Sequence, residues 1–455
     1  MKRVTEPRSA TSGSGSGSGV SGRDPVMDIA RVVCLVCVVL GHLLLLGASV
    51  SVHHSLVLVR TLELQAWFTP VTWVTQIMPL FFAIGGFVGA QAWRRTEARG
   101  GTAAEFIRGR VLRLARPAVP FFAFLSIAIL IMLMSGLDPD TVGRITSGVA
   151  SPLWFLAAYT FSQAFVPGMV ALHERAPVST LVGLAMAAIA LDVTRWASGI
   201  SELGLFNMIF VWLFIQQLGV WAADGWFAAR SRWTLLLLVV GSFASLAVLT
   251  ELGAYPADML NNLNPPTVAL CLQGIAQFSL LMLLHPLLDR MMRISLIKRI
   301  VTVVGSRLMT IYLWHLPVIA LIVGLVLLSP LPSPEPGTAV WWLTRPLILL
   351  IAILVLTGIT FALRRFEQPV VPRADMRARD WSVSVSASLV ILPPFTVVVF
   401  GLNFAIAVVG TVLLALAVLL QLPPRWLRRS APTVTDATSS APHRVRRETG
   451  LRQRN

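Results

Sequence analysis

Charged side chains are scarce in this sequence. Only 13% of its 455 residues are Asp, Glu, Lys or Arg, whereas 56% are hydrophobic, and the mean hydropathy is +0.76. Soluble domains carry about 25% charged residues, so the shortage argues against an ordinary soluble enzyme or a basic nucleic-acid-binding domain. Apolar runs of about 18–24 residues recur instead, each long enough to cross a hydrocarbon core ~30 Å thick. The composition predicts an all-α fold, a polytopic bundle of transmembrane helices.

Cysteine is almost absent as well. The three cysteines are Cys34, Cys37 and Cys271, and the first two form a C-x-x-C pattern inside an apolar run without a second pair of ligands. That context favours packing over a disulfide framework or a metal site, so we expect no metal. The chain also lacks a P-loop, a dinucleotide-binding glycine fingerprint and a G-x-S-x-G nucleophile elbow. No apolar run has the pattern of a cleavable signal peptide. No internal repeat is evident either, and its absence weakens the case for transporter folds built from duplicated halves without excluding them.

The apolar runs predict about ten core spans, followed by a possible C-terminal hairpin of two more with Asn403 at its turn. We place the spans at 29–50, 72–93, 117–137, 151–171, 178–196, 204–223, 233–253, 266–288, 307–329 and 341–363, and the hairpin at 383–421. Together with the low-complexity ends, these runs define four regions. They are a flexible N-terminal segment (1–23), a membrane domain (24–368), a linker with the hairpin (369–424) and a disordered basic tail (425–455).

Basic residues are distributed unevenly between the predicted loops. With the N-terminus in the cytoplasm, arginines cluster in the inner loops around 94–116, 290–299 and 364–379, whereas the outer loop near 254–265 has neither Lys nor Arg. The positive-inside rule predicts this retention of basic residues on the cytoplasmic side. The net charge of +16 is therefore attributed to topology and to contact with anionic membrane lipids rather than to nucleic acid. We expect a multi-pass protein of the cytoplasmic (inner) cell membrane with both termini in the cytoplasm.

Ionisable residues occur inside the first predicted span. Arg31 follows Asp28 by three positions, and His42 follows Arg31 by eleven. Eleven residues are about three helical turns, so Arg31 and His42 share one face about 16 Å apart along the helix axis. An ionisable residue inside a membrane is costly and commonly lines a polar cavity or a reaction site. We interpret His42 as a general base or as a histidine bonded to a neighbouring helix, and Arg31 and Asp28 as ligand contacts or an interfacial ion pair.

Two motifs near the predicted cytoplasmic side suit an anionic ligand. Gly85 and Gly89 form a small-xxx-small face that favours close helix packing, and the alternative interpretation is that glycines here, with Gly86 as the candidate, leave room for a ligand beside the backbone. Arg110 and Arg113, three residues apart on a predicted helix, form one cationic stripe. One interpretation of this stripe is that it reflects membrane topology and contact with lipid headgroups. The other is a phosphate clamp, because a planar guanidinium group can donate two hydrogen bonds to phosphate oxygens.

Polar residues recur at the ninth and fourth predicted spans. Tyr312 lies one turn before His315 on the same face, and Pro317 disturbs the helical hydrogen-bond ladder, which frees carbonyl groups to line a cavity. Packing with satisfied hydrogen bonds between helices explains the same pattern. Trp154, near the outer start of the fourth span, has the position of an aromatic-belt anchor.

These motifs follow one another in a characteristic order. The series is Asp28-x-x-Arg31-x10-His42, Phe81-Phe82 with Gly86-Phe87, Arg110-x-x-Arg113 with Pro117, Leu153-Trp154-Phe155-Leu156, and Tyr312-Leu-Trp-His315-x-Pro317. The ordered set resembles the acyltransferase 3 family of integral membrane acyltransferases, which includes bacterial acetylases of O-antigen and other cell-surface glycans. The resemblance covers about 24–368, and one departure is Gly85, where the family usually has serine.

The resemblance implies an acyl-CoA donor, with acetyl-CoA the simplest, bound from the cytoplasm, and an acceptor hydroxyl group on a cell-surface carbohydrate or glycolipid. His42 is then the base that deprotonates the acceptor, or the carrier of an acyl-histidine intermediate. His315 and Tyr312 stabilise the developing oxyanion or bind the acceptor. The predicted residues are His42, Asp28 and His315 for catalysis, Arg31, Arg110, Arg113 and Gly86 for donor binding, and Tyr312 and Trp154 for acceptor binding.

Two other functions remain open at this level. A secondary transporter would use the intramembrane His, Arg and Asp side chains as a path for protons or substrate. A non-catalytic partner in glycan export would tolerate changes at both His42 and Arg31. The sequence predicts neither the acceptor's identity nor the acyl chain length nor the oligomeric state.

Overall fold

The computed structural model describes residues 24–50, 56–330, 333–368 and 379–422, and most of them are helical. The segments predicted to be flexible, 1–23 and 425–455, lie outside the described residues. The helices are α1 (Pro25–Leu45), α2 (Phe68–Thr75), α3 (Met78–Glu97), α4 (Ala103–Met134), α5 (Pro139–Ala150), α6 (Leu153–Arg175), α7 (Pro177–Ser198), α8 (Asn207–Ala223), α9 (Arg232–Glu251), α10 (Val268–Met292), α11 (Ser295–Gly305), α12 (Leu308–Leu328), α13 (Ala339–Ala362), α14 (Arg364–Glu367), α15 (Asp380–Phe400) and α16 (Phe404–Gln421). Two strands, β1 (Leu46–Val50) and β2 (Leu56–Arg60), and 3₁₀ turns at Thr61–Leu64 and Ser201–Phe206 complete the described part.

Twelve helical segments within the described ranges are long and apolar enough to cross a membrane. They correspond to the ten predicted core spans and to the two arms of the predicted C-terminal hairpin, so the prediction of a polytopic all-α bundle is confirmed. The hairpin turns at Gly401, whose φ of 75° suits glycine, and the Asn403 side chain caps α16 by accepting a hydrogen bond from Ile406 N at 2.9 Å. The chain is therefore a multi-pass membrane protein.

The first span begins and ends earlier than predicted, at Pro25–Leu45 instead of 29–50. Residues 46–50 form β1, which pairs antiparallel with β2 so that Leu46 lies opposite Arg60. Gly47 of β1 packs closely on the following turn, because a Cβ there would lie 2.2 Å from Thr61 Oγ1. A short apolar run is compatible with a strand as well as with a helix, so hydropathy alone misplaced this boundary. As a result His42 lies in the last turn of α1 instead of near the middle of the span.

Two spans are built from two helices each, and α11 was not predicted. The second span divides between α2 and α3, where Pro79 lies in the first turn of α3, and the fourth divides between α5 and α6 at Pro152. Proline suits a helix start and disrupts a helix interior.

On the unpredicted helix α11, Leu296 and Ile300 are exposed on one face while Val301 is buried. Eleven residues are too few to cross a membrane, so a search for span-length runs overlooked this helix.

The two ends of the bundle differ in charge. We call the end that carries α11 and α14 the basic end, because the arginine clusters around 94–116, 290–299 and 364–365 belong to it. The end that carries β1 and β2 is called the strand end.

At the strand end, the buried carboxylate of Asp192 accepts hydrogen bonds from Asn207 Nδ2 and Tyr255 Oη, both at 2.9 Å. Burial and this carboxylate raise the pKa of Tyr255, and the cluster joins α7, α8 and the loop before α10.

Helices α3 and α8 approach each other through glycines. A Cβ on Gly86 would lie 2.0 Å from the carbonyl oxygen of Gln216, and a Cβ on Gly219 would lie 1.9 Å from that of Ala83. Phe82 stacks on Trp212 in the same interface, with ring centroids 4.2 Å apart. Gly86 is therefore occupied in helix packing.

Gly86→Ala and Gly219→Ala are each expected to destabilise the protein by about 1–3 kcal/mol, because the added methyl group forces α3 and α8 apart. The measurement is thermal unfolding of the detergent-solubilised protein. Gly241→Ala in α9 is the matched control: its Cβ would meet no atom within 4 Å, and alanine is the better helix former. Unfolding temperatures of Gly86→Ala and Gly219→Ala equal to that of the wild type would contradict this packing.

Candidate active site

A cavity of about 1000 Å³ lies at the basic end, with walls from α1, α3, α4, α6, α10, α11, α12 and α14. This volume is at the upper end of the range for small-molecule sites, about 300–1,000 Å³. Five basic side chains line it against three acidic ones. The basic residues are Arg31, Arg110, Arg113, Arg116 and Lys298, and the acidic ones are Asp28, Glu105 and Glu367. The excess of positive charge suits an anionic ligand.

The start of α4 sets the direction of three of these arginines. A capping box at Thr102 fixes the beginning of the helix, and arginines then follow at three-residue intervals. Arg110, Arg113 and Arg116 all contribute to the cavity wall, and the Arg110 guanidinium lies 5.0 Å from the centre of the Phe106 ring. Arg116 donates hydrogen bonds to backbone carbonyl groups of the 365–368 segment, so it ties α4 to α14.

Arg31 reaches the same cavity from α1. Its guanidinium lies 5.9 Å from the centre of the Phe81 ring, and its Nε is buried without a hydrogen-bond partner in the part of the chain that the structure describes. A buried donor without a partner is costly, and an anion in the cavity would satisfy it.

Aromatic rings form the wall that leads inward from Arg31. The ring centroids of Phe81 and Tyr159 are 5.4 Å apart, those of Phe155 and Tyr159 5.1 Å, and those of Phe155 and Tyr312 4.7 Å. The Tyr312 hydroxyl donates to the carbonyl oxygen of Pro152 at 2.7 Å. The wall therefore runs from the arginines to α12 and is braced at the break between α5 and α6.

His42 and His315 form a hydrogen-bonded pair just beyond the inner end of the cavity. Nδ1 of His42 lies 2.9 Å from Nε2 of His315, and the ring centroids are 4.9 Å apart. Val38 and Tyr312, which line the cavity, precede the two histidines by about one helical turn on α1 and α12. His315 is fully buried, whereas His42 is partly exposed. The pair thus adjoins the cavity without forming its lining.

The hydrogen bonds decide where the protons of a neutral pair lie. Nδ1 of His315 is 2.6 Å from the carbonyl oxygen of Tyr312, which can only accept, so this nitrogen carries a proton. In a neutral ring Nε2 of His315 is then an acceptor, and Nδ1 of His42 donates to it. Nε2 of His42 is left with a lone pair. A neutral pair therefore presents His42, and not His315, as the base.

Three of the predicted site residues lie apart from this pair. Asp28 lines the cavity but precedes His42 by fourteen residues, which is about 21 Å along a helix, so it is not the partner of His42. Gly86 packs on α8, as described above. Trp154 is buried against Trp212, with ring centroids 5.4 Å apart, and is not an exposed belt residue. The described contacts assign Gly86 and Trp154 to helix packing, and neither is retained in the site proposed below.

Among the residues of the cavity wall that were not predicted, three bear on the site. Tyr159 and Gln163 are one turn apart on α6, and a pair of polar residues on one face of an apolar span was the signal that could have revealed them. Glu367 was not predicted because it follows Arg364 and Arg365 in a stretch interpreted as a basic cytoplasmic loop. Its carboxylate accepts a hydrogen bond from Thr310 N at 2.8 Å and lies 3.7 Å from Arg307. Burial nevertheless raises the pKa of the Glu367 carboxyl above its ordinary value.

Comparison with known proteins agrees with these features. A family model described as "Acyltransferase domain" matches residues 24–365, a segment that contains both histidines and all the cavity arginines. No curated protein and no solved structure matches the chain. The α15–α16 hairpin lies outside the matched segment. Since the match covers well over half of its length, the chain belongs to the acyltransferase 3 family of membrane acyltransferases.

Proposed function

We propose that this protein transfers an acyl group, acetyl in the simplest case, from cytoplasmic acyl-CoA to a hydroxyl group of a cell-surface carbohydrate or glycolipid. Family membership supports acyl transfer in general. The observation that carries the proposal is the position of the His42–His315 pair, directly beyond the inner end of an arginine-lined cavity. The arginine lining of the cavity favours a donor rich in phosphate groups, and a histidine base favours an acceptor whose hydroxyl group must lose a proton.

The shape of acyl-CoA matches the order of groups in the cavity. Its phosphates lie at one end and its thioester at the end of a long arm. Arg110 and Arg113 suit the phosphates, because guanidinium groups pair with phosphate oxygens. The arm then runs past Arg31 along the aromatic wall. Arg31 and His42 are about 16 Å apart on α1, so an extended arm spans this distance and brings the thioester to the histidines.

The proposed reaction uses His42 as the base. Nε2 of His42 takes the proton of the acceptor hydroxyl, and the hydroxyl oxygen attacks the thioester carbonyl carbon. The carbon–sulfur bond breaks, the ester is formed, and the CoA thiolate takes up the proton from His42. His315 acts as a positioning residue, since it accepts the Nδ1–H of His42 and fixes the reactive tautomer. Tyr312 already donates its one hydroxyl proton to Pro152, so we assign it to the wall and not to the oxyanion.

The basic end is proposed to face the cytoplasm, in agreement with the positive-inside rule. This orientation opens the donor cavity to cytoplasmic acyl-CoA and places both termini in the cytoplasm. The strand end then faces the outside of the cytoplasmic membrane, and the partly exposed His42 meets the acceptor from that side.

Glu367→Gln is expected to tighten CoA binding at neutral pH about threefold to tenfold, the effect of removing one negative charge about 10 Å from an anion. Because burial raises the pKa of Glu367, its carboxylate is neutralised at a higher pH than an exposed one. Wild-type affinity should therefore rise as the pH falls through this raised pKa, and the variant should lack that rise. Isothermal titration calorimetry at several pH values measures both effects.

Glutamine keeps a side-chain oxygen that accepts the hydrogen bond from Thr310 N, so the N-terminal end of α12 stays capped in this variant. Glu335→Gln, at an exposed position of the strand end, is the control and should leave CoA affinity unchanged. Identical affinities and pH profiles for Glu367→Gln and the wild type would show that Glu367 does not sense the donor.

The function is tested with purified protein in nanodiscs, radiolabelled acetyl-CoA and an extract of envelope glycans and lipids. We expect label to move to a glycan or glycolipid as an ester, with an equal amount of free CoA released. A transporter would instead carry substrate across proteoliposomes without consuming acetyl-CoA, and an export partner would do neither. A folded protein that neither binds CoA nor transfers label would overturn the proposal.

A further inference from the structure

Two polar side chains meet in the middle of the cavity wall. Tyr159 and Gln163 both line the cavity, yet only 8% of Tyr159 and 1% of Gln163 is exposed. They converge on the same point of α3, because a Cβ on Gly85 would lie 3.1 Å from Tyr159 Oη and 3.3 Å from Gln163 Nε2. The missing side chain at Gly85 is what makes room for them.

Gln163 has an acceptor that nothing in the described structure uses. Its Nε2 donates to the carbonyl oxygen of Gly85 at 3.3 Å, which sets the direction of the amide. Its Oε1 is buried and has no hydrogen-bond partner among the described residues. Buried polar atoms are almost always paired, so an unpaired one that belongs to a cavity-lining residue points to a ligand with an N–H group.

Tyr159 offers the complementary group. Its ring is held by the neighbouring aromatic rings, 5.4 Å from Phe81 and 5.1 Å from Phe155 between centroids. Tyr159 belongs to the cavity wall, and its hydroxyl can donate one hydrogen bond. Tyrosine thus supplies an O–H donor one helical turn from the glutamine acceptor, a rise of about 5–6 Å.

We propose that Tyr159 and Gln163 form a binding site for a secondary amide in the arm of the donor. The Tyr159 hydroxyl donates to the amide carbonyl oxygen, and Gln163 Oε1 accepts from the amide N–H. This inference rests on the proposed function, because the arm that joins the phosphates of CoA to its thioester contains such amides. The site lies on the aromatic wall between the arginines and the histidine pair, where that arm has to pass.

Binding of two ligands tests the site directly. CoA contains the arm, whereas adenosine 3′,5′-bisphosphate contains the nucleotide and two of the three phosphates without it. Tyr159→Phe and Gln163→Met are each expected to weaken CoA binding about threefold to tenfold and to leave binding of the bisphosphate unchanged. Arg113→Gln should weaken the binding of both ligands. Tyr255→Phe removes a hydroxyl at the strand end and should change neither affinity.

Each outcome decides between the possibilities. Unchanged CoA affinity in both Tyr159→Phe and Gln163→Met would overturn the amide site and leave the proposed function standing. Equal weakening of both ligands would show that these residues only support the wall, which also overturns the site. Failure of the wild type to bind CoA would overturn the proposed function itself. Because Tyr159→Phe keeps the packed ring, it remains informative even if Gln163→Met fails to fold.

Discussion

His42→Ala is expected to lower the rate of acyl transfer about a hundredfold to ten-thousandfold while CoA binding stays intact. A positioned general base contributes about 10²- to 10⁴-fold to a proton-transfer step, and a hydroxyl group is a poor nucleophile without one. The alanine variant keeps the arginine-lined cavity, because His42 does not belong to its lining. The measurement is the initial rate of label transfer in nanodiscs, together with CoA affinity by calorimetry.

Two further variants make this prediction specific to the pair. His315→Gln keeps an oxygen that accepts the Nδ1–H of His42, so we expect a loss of about tenfold with an altered pH profile, smaller than in His42→Ala. His285 lies 3.3 Å from Asp24 and outside the pair, so His285→Ala is the matched control and should retain the wild-type rate. Normal turnover by a folded His42→Ala protein would eliminate His42 as the base.

Arg110→Gln and Arg113→Gln are expected to weaken CoA binding about tenfold to a hundredfold each. A hydrogen bond between charged groups contributes about 1.5–3 kcal/mol, and each variant removes a guanidinium group from a phosphate. Binding should also become less sensitive to salt, since fewer charges attract the donor. Calorimetric titration of CoA at two ionic strengths measures both changes.

The matched control for these arginines is Arg293→Gln. Arg293 also belongs to the basic end, but its side chain is 77% exposed and pairs with Asp289 outside the cavity. It should leave the affinity for CoA unchanged, which separates the cavity arginines from the general charge of that end. If Arg110→Gln and Arg113→Gln bound CoA like the wild type, the phosphates of the donor would have to lie elsewhere.

Features that depend on neighbours along the chain were accessible from the sequence. Span-length apolar runs identified the twelve membrane helices, including the C-terminal hairpin that turns beside Asn403. Helical spacing placed Arg31 and His42 on one face of α1 and Arg110 and Arg113 on one stripe of α4, and all three arginines line the cavity. Both kinds of inference use only the rise and the turn of a regular helix.

Features that depend on contacts between distant segments were not accessible. His42 and His315 are separated by 273 positions, and no local pattern says that their rings touch. The glycines of α3 are compatible in the sequence with close helix packing and with ligand binding. Only the contact of Gly86 with α8 distinguishes these two roles. Hydropathy likewise did not separate β1 from the end of α1, because both are short apolar runs.

The most direct test of the account is an experimental structure of the protein in nanodiscs with a non-hydrolysable thioether analogue of acetyl-CoA. We expect phosphates beside Arg110 and Arg113, the arm along Tyr159 and Gln163, and the acyl carbon within reach of His42 Nε2. Ligand density outside this cavity, or an acyl end directed away from the His42–His315 pair, would contradict it.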